Sequence, residues 1–336
     1  MNRRSLEREA VLAAEYVLAE SDITPGDRVP VFDLIENRGI WLSFEPELDR
    51  LLGVYQRIGD VTGIAINTAR PVALQRFTAA HELGHHELGH GSHLDAEATI
   101  TESAHDPKEI QAQTFAASLL MSELAIETRL EHRGHDPDRP NLSAIDVYLI
   151  AAELGVSYQA AVTQLRVLHK ISFAQAREFA KESPLRLKQV LLGGRRPDNP
   201  RASVVQLTFA DNRREIVLDV DDEIDVALPE MPASGCEWTL PSAIGESFVL
   251  TNDRSETTDG GTGEMLFGRA RARHVTLRAH TAGRTRLDFR PVQPASESQD
   301  AAPLTIYAVT RTAPVSEEGR GISVNQHDQL LERASA

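Results

Sequence analysis

Residues 81–90 read His-Glu-Leu-Gly-His twice in succession, and no other stretch constrains the chain as tightly. Two histidines four apart lie on one face of an α-helix, so each copy can aim two imidazoles at a single metal ion. The glutamate between them then stands near the open coordination position. There it can take a proton from a water activated by the metal and return it to a leaving amine. A helix over Arg76–His90 is expected, on which the second copy is rotated from the first by about 140°. Stepping back from His81 and His85 meets Leu74, Phe77 and Thr78, and stepping forward meets Leu88. Stepping back from His86 meets Glu82 and Ala79, a more polar face. The first copy is therefore read as the interior one, with His81 and His85 as zinc ligands and Glu82 as general base. His86, Glu87 and His90 are read as a solvated echo.

A third ligand has to come from elsewhere. The longer pattern with a third histidine fails, because Leu88 stands where glycine is needed and Gly91 where the histidine is needed. A glutamate on a later helix is the other common solution. Asp106-Pro107-Lys108-Glu109 opens such a helix, expected over Pro107–Ser122, in which Ala112 and Ala116 leave room for close packing. Gln113, one turn after Glu109, could support a ligand from behind. Asp-x-x-Glu is also a capping box, so spacing leaves Glu109 as either ligand or cap, with Glu102, His93 and His105 as rivals. A site of two histidines and one glutamate accepts Zn²⁺ or Mn²⁺.

The 336 residues allow two or three domains, and a formal net charge of −15 makes the chain a poor general partner for nucleic acid or anionic membrane. A lone cysteine, Cys236, excludes an internal disulfide framework. Residues 1–20 lack a signal-type apolar core, and no 18-residue apolar run exists. A cytoplasmic protein with no membrane partner is expected. The fold class read from these patterns is multidomain α+β. Residues 1–139 mix helices (Arg4–Ala19; Val31–Arg38, stopped by Gly39) with strands (Ile40–Phe44, Gly63–Asn67). Residues 140–192 read as helix, 193–201 as a Gly/Pro/Arg linker, 202–313 as a β-sandwich of period-two strands, and 314–336 as a loose tail.

Residues 1–170 resemble the ImmA/IrrE family of metallopeptidases. The resemblance is carried by Gly63-Ile64-Ala65-Ile66-Asn67, by Arg76-Phe77-Thr78-Ala79-Ala80-His81-Glu82-Leu83-Gly84-His85, and by Glu109-Ile110-Gln111-Ala112-Gln113-Thr114-Phe115-Ala116-Ala117-Ser118-Leu119-Leu120-Met121. It implies a zincin-like peptidase domain in which Glu109 is the third zinc ligand. Two positions depart from the family: Gln113 where Asn or Asp is usual, and Ser122 where Pro is usual. The resemblance also implies a substrate class, repressors of the helix-turn-helix type whose cleavage switches on stress or mobile-element genes. Gly63, Ile64, Ala65, Ile66 and Asn67 are then expected to form the edge strand that pairs with an extended substrate. Tyr55, just upstream, is the candidate for stabilising the oxyanion.

Ala151–Ser157 resembles the turn of a helix-turn-helix, with Gly155 in the turn. The following helix, Tyr158–Leu168, carries only Arg166 as a cation, which favours a structural or substrate-docking role over direct DNA binding. Residues 202–312 resemble the chagasin-like inhibitors of cysteine proteases, immunoglobulin-like sandwiches, through Pro232–Trp238, Gly260–Phe267 and Gly283–Pro291. The first loop reads Met-Pro-Ala-Ser-Gly-Cys instead of Asn-Pro-Thr-Thr-Gly-Tyr, and no aromatic follows Arg290-Pro291. Those departures favour a module that binds or senses a further protein over an active inhibitor. Cys236 is read as a small loop or buried residue, and Trp238 as part of the sandwich core. Two alternatives to a repressor-cleaving peptidase stand beside it. One is a DNA-binding regulator with a vestigial peptidase fold, and the other a protease-binding protein acting through its β-sandwich.

Overall fold

The computed structural model describes residues 2–48, 50–91, 93–96, 106–230, 237–257, 271–292 and 303–312. They fall into two compact units, Met1–Lys181 and Glu182–Ala313. Among them no single helix is long and apolar enough to cross a membrane.

In the first unit, α1 (Arg3–Ala19) starts at Asn2, whose side chain accepts from the Ser5 N–H, and buries Leu6, Ala10, Ala14 and Val17. Helix α2 (Val31–Asn37) ends just before Gly39, as expected. A four-stranded sheet follows, built from β1 (Trp41–Glu45), β2 (Leu51–Ile58), β3 (Val61–Asn67) and β4 (His93–Ala96), in the order β1-β3-β2-β4. Strand β3 pairs in parallel with β1 on one side and antiparallel with β2 on the other. The expected edge strand, Gly63 to Asn67, is therefore interior. Its N–H and C=O groups are already used in two ladders, and among the described residues the open edges belong to β1 and β4.

Helix α3 (Val72–Glu87) packs on the sheet, and α4 (Pro107–Leu120) and α5 (Glu123–His132) follow. The helices α6 (Ala144–Leu154) and α7 (Tyr158–Val167) meet at a bend of 105° around the turn that holds Gly155, and α8 (Phe173–Phe179) ends the unit. These three helices, expected to form a separate module with residues up to 192, belong to the same unit as the sheet. Buried arginines supply the physical reason. Arg76 on α3 is 3% exposed and donates to the Gly155 carbonyl at 2.9 Å and the Val29 carbonyl at 2.7 Å. The half-buried Arg133, at the C-cap of α5, pairs with Glu153 on α6, and Gln164 on α7 donates to the Met121 carbonyl at 3.2 Å.

Among the described residues of the second unit, α9 (Pro184–Leu191) precedes eight strands: β5 (Val204–Leu207), β6 (Glu215–Asp219), β7 (Glu223–Glu230), β8 (Glu237–Thr239), β9 (Phe248–Thr257), β10 (Arg271–Ala279), β11 (Gly283–Val292) and β12 (Leu304–Arg311). They form two four-stranded sheets, β5-β7-β10-β9 and β6-β12-β11-β8. Alternating apolar residues are buried in both, among them Ile224, Val226 and Leu228 in the first and Leu287, Phe289, Leu304 and Ile306 in the second. Trp238 is buried, its indole N–H donating to the Pro229 carbonyl at 2.9 Å. Residues 193–201, expected as a linker, are tied down. Arg195 pairs with the fully buried Glu223, the Asp198 N–H donates to the same carboxylate at 2.9 Å, and Asn199 donates to Asp221. A carboxylate without exposure is tolerated only when so paired, which fixes the segment to the unit. The first two loops behind the inhibitor resemblance, with Cys236, lie outside the described residues.

Replacing Arg76 by Met would remove the guanidinium donor from the Gly155 carbonyl and one of two donors from the Val29 carbonyl, which keeps the Val31 N–H at 3.0 Å. A loss of about 2–4 kcal/mol is expected, read from urea unfolding of the full chain.

Candidate metal centre

The site is assembled where α3 crosses α4. Gly84 lies at the crossing: a Cβ there would stand 3.0 Å from the Phe115 ring and 3.2 Å from the Ala112 Cα. Absence of that Cβ lets the helix backbones approach, with Ala112 as the small partner expected from the sequence. Asp106 caps α4 by accepting from the Lys108 N–H. Glu109, one turn in, reaches across to α3 instead. Its carboxylate lies 3.4 Å from His81 Nε2 through Oε2 and 3.4 Å from His85 Nε2 through Oε1. The two Nε2 atoms are 3.1 Å apart. All three residues are buried, and they are a group whose ligand atoms lie within 4.8 Å of one another.

These separations test whether a metal fits. Four donors about 2.0–2.1 Å from one Zn²⁺ in a tetrahedron stand roughly 3.3 Å apart. The three spacings here, 3.1, 3.4 and 3.4 Å, match that edge. The donor set, two neutral imidazoles and one carboxylate, is the type used by zinc hydrolases that keep a coordination position open.

Glu82, between the two histidines, is fully buried. Strand β2 makes its space with a glycine. A Cβ on Gly53 would lie 2.7 Å from Glu82 Oε1 and 2.5 Å from the Thr78 methyl. A groove of about 900 Å³ reaches His81 and Glu109. Arg3 and Glu7 of α1, Phe77 of α3, and Thr163 and Arg166 of α7 contribute to its walls.

Several sequence expectations are corrected here. Gln113 is exposed and lines the groove, whereas Gln111, two residues earlier, is buried and bonded. Tyr55 is 1% exposed, with its hydroxyl 3.3 Å from His86 Nδ1, so it is enclosed rather than presented to a substrate. Burial raises its phenol pKa above the usual value.

The second His-Glu-Leu-Gly-His copy is half-buried, with only its glycine exposed, rather than a solvated echo. Helix α3 stops at Glu87, short of the expected His90. Gly89 takes φ +67°, the His90 N–H donates to the His85 carbonyl at 2.9 Å, and the Gly89 N–H donates to the His86 carbonyl at 3.1 Å. That pair of bonds is a Schellman turn, and it folds His90 back over the helix end. His90 Nδ1 comes to 3.0 Å from His85 Nδ1, and His90 Nε2 to 3.2 Å from Gln111 Oε1. Glu87 pairs with Arg38 at 2.8 Å. Burial lowers the pKa of both His86 and His90, favouring their neutral forms. Among the rival ligands, Glu102 and His105 lie outside the described residues, and His93 is described only through its backbone in β4.

Residues 36–166 match the peptidase M78 family, whose model is described as the IrrE N-terminal-like domain. This stretch of the chain is similar to the IrrE N-terminal-like peptidase domain. The match contains α3, α4 and therefore His81, Glu82, His85 and Glu109, while α1 lies outside it. No curated protein sequence matches the chain. Similar solved structures include the cysteine protease inhibitor EhICP2 from Entamoeba histolytica, with 20% identity over 32% of this chain and 96% of that one and a TM-score of 0.29. Amebosin aligns with 14% identity over 32% and 98% at a TM-score of 0.25. PbICP-C, solved in complex with falcipain-2, aligns with 16% identity over 33% and 92% at a TM-score of 0.22.

Within the matched segment, Gly53→Ala tests the packing against Glu82. The added methyl overlaps Thr78 and Glu82, both on α3, so strand and helix have to separate. A destabilisation of about 1–3 kcal/mol is expected, measured by chemical denaturation beside the parent chain.

Proposed function

We propose that Met1–Lys181 is a zinc-dependent endopeptidase and that its substrate is a transcriptional repressor of the helix-turn-helix type. The observation that carries the metallopeptidase reading is the convergence of His81 Nε2, His85 Nε2 and the Glu109 carboxylate at 3.1–3.4 Å beside a buried Glu82. The repressor as substrate rests on the family resemblance alone.

His81, His85 and Glu109 would hold the ion, zinc or manganese. When bound, it supplies a Lewis acid that acidifies water and polarises the scissile carbonyl. The work of the chain's own residues follows from their placement. Glu82, buried against Gly53, accepts the proton released as water attacks the peptide carbon. As the C–N bond breaks, Glu82 returns that proton to the departing amine. Its enclosure holds the carboxylate in place and keeps bulk water from competing for the proton. The groove beside His81 and Glu109 takes the polypeptide.

Arg166, the exposed cation of α7, lines this groove, which favours a substrate-docking role for α7 over DNA binding. The α6–α7 pair is read as a helix-turn-helix-like element, and the two-sheet unit as an immunoglobulin-like sandwich that binds or senses a further protein.

The test uses the full chain, zinc and a cognate repressor, with fragments identified by mass spectrometry. The parent chain is expected to cut the repressor. Glu82→Gln is expected to keep stoichiometric zinc and lose cleavage by at least about 100-fold. His81→Ala is expected to lose the zinc itself. Equal cleavage by the parent and Glu82→Gln would refute the mechanism.

A further inference from the structure

A histidine that ligates through Nε2 carries its proton on Nδ1, and that N–H needs an acceptor to hold the ring in place. For His85, Nε2 is the atom turned to His81 and Glu109, and Nδ1 is the atom turned to His90. The 3.0 Å between the two Nδ1 atoms accommodates one proton, not two. If His85 supplies it, His90 accepts at Nδ1 and must carry its own proton on Nε2. That proton faces Gln111 Oε1 at 3.2 Å, and the Gln111 amide in turn donates to Glu9 Oε2 at 2.8 Å. Every group in the series takes the one role its neighbour leaves it, and the series ends on a carboxylate.

We propose that His90 is a positioning residue of the metal centre: it accepts the His85 Nδ1–H and, through Gln111, links that ligand to Glu9 on α1. The proposal rests on the reading of His81, His85 and Glu109 as metal ligands. It gives the final histidine of the doubled motif a task that its sequence position hides. A neutral acceptor orients the ring and, polarised by the chain that ends at Glu9, makes Nε2 a better donor to the metal. It also assigns a role to α1, which lies outside the matched peptidase segment and yet contributes the terminal anion.

The experiment measures zinc affinity by competition with a chromophoric chelator, on the full-length parent and three variants. His90→Phe keeps a ring against His85 and removes the acceptor, and a loss of about 10- to 100-fold in zinc affinity is expected. His90→Asn places an amide oxygen near the Nδ1 position and is expected to stay within about threefold of the parent, since the accepted hydrogen bond survives. His81→Ala is the control that loses the ion outright. Thermal melts of the metal-free proteins separate a folding defect from a ligand defect, and the metal-free Phe and Asn variants are expected to melt together. Nitrogen-15 spectra of histidine-labelled, zinc-loaded parent chain are expected to show His85 protonated at Nδ1 and His90 at Nε2, a reading that needs no variant to fold. Parent-like zinc affinity in His90→Phe, with zinc lost in His81→Ala, would overturn the role of His90 and leave the metal site standing. His90 protonated at Nδ1 in the zinc-loaded parent would do the same. A folded parent chain that takes up no zinc would overturn both readings.

Discussion

The crossing of α3 and α4 at Gly84 is the constraint on which the rest of the site depends. A methyl group at that position would press on both Phe115 and the Ala112 backbone, so the separation of the two helices is set by the lack of a side chain. Glu109 sits one turn from Ala112 on the same helix, and His81 and His85 flank Gly84 on the other. The contact between the two small residues thus decides whether a carboxylate on one helix can meet two imidazoles on the other. Two imidazole nitrogens and a carboxylate held at 3.1–3.4 Å need a proton or a cation between them. The helix packing and the meeting of these three side chains are in that sense one requirement.

Helix α3 carries this requirement through the first unit. Near its start, Arg76 reaches two backbone carbonyls far apart in the chain and ties the α6–α7 turn to the segment around Val29. At mid-length, Thr78 and Glu82 lie against Gly53 of β2. At its end, the Schellman turn returns His90 to His85. The buried arginine answers a problem of irregular backbone. Carbonyls that no helix or strand satisfies need donors, and a guanidinium can serve two of them at once. Arg129, which donates to the Gly26 carbonyl, solves the same problem for the neighbouring stretch.

How much of this could be read from the sequence depended on how local the governing geometry is. His81, Glu82 and His85 were legible because helical period and ligand chemistry act over five residues. Glu109 was not separable from a helix cap by spacing; the family resemblance singled it out, and the structure turns it toward the imidazoles. Strand Gly63–Asn67 was legible as a strand but not as an interior one, because sheet order is set by which strands pair at a distance. Parallel addition of β1 closes the side that the sequence left open. Gln113 was placed by the period of α4 on the face of Glu109, correctly, but that face opens into the groove. The glutamine that bonds to the site is Gln111, on the side turned to α1 and His90.

The doubled motif shows most clearly why repetition in sequence is not repetition in structure. Inside a helix, a shift of five residues turns a side chain about 140° away, and on that rule His90 belongs on the far side from His81. The rule holds only while the helix continues. Gly89, the counterpart of Gly84, meets no close neighbour and instead adopts a left-handed conformation that ends the helix. One glycine allows a backbone to approach and the other reverses the chain, although both occupy the same place in the same five-letter word. Glu82 is fully buried against Gly53, while Glu87 is only half-buried and pairs with Arg38. The second copy has thereby become the support of the first, because a helix terminus falls between its glutamate and its last histidine.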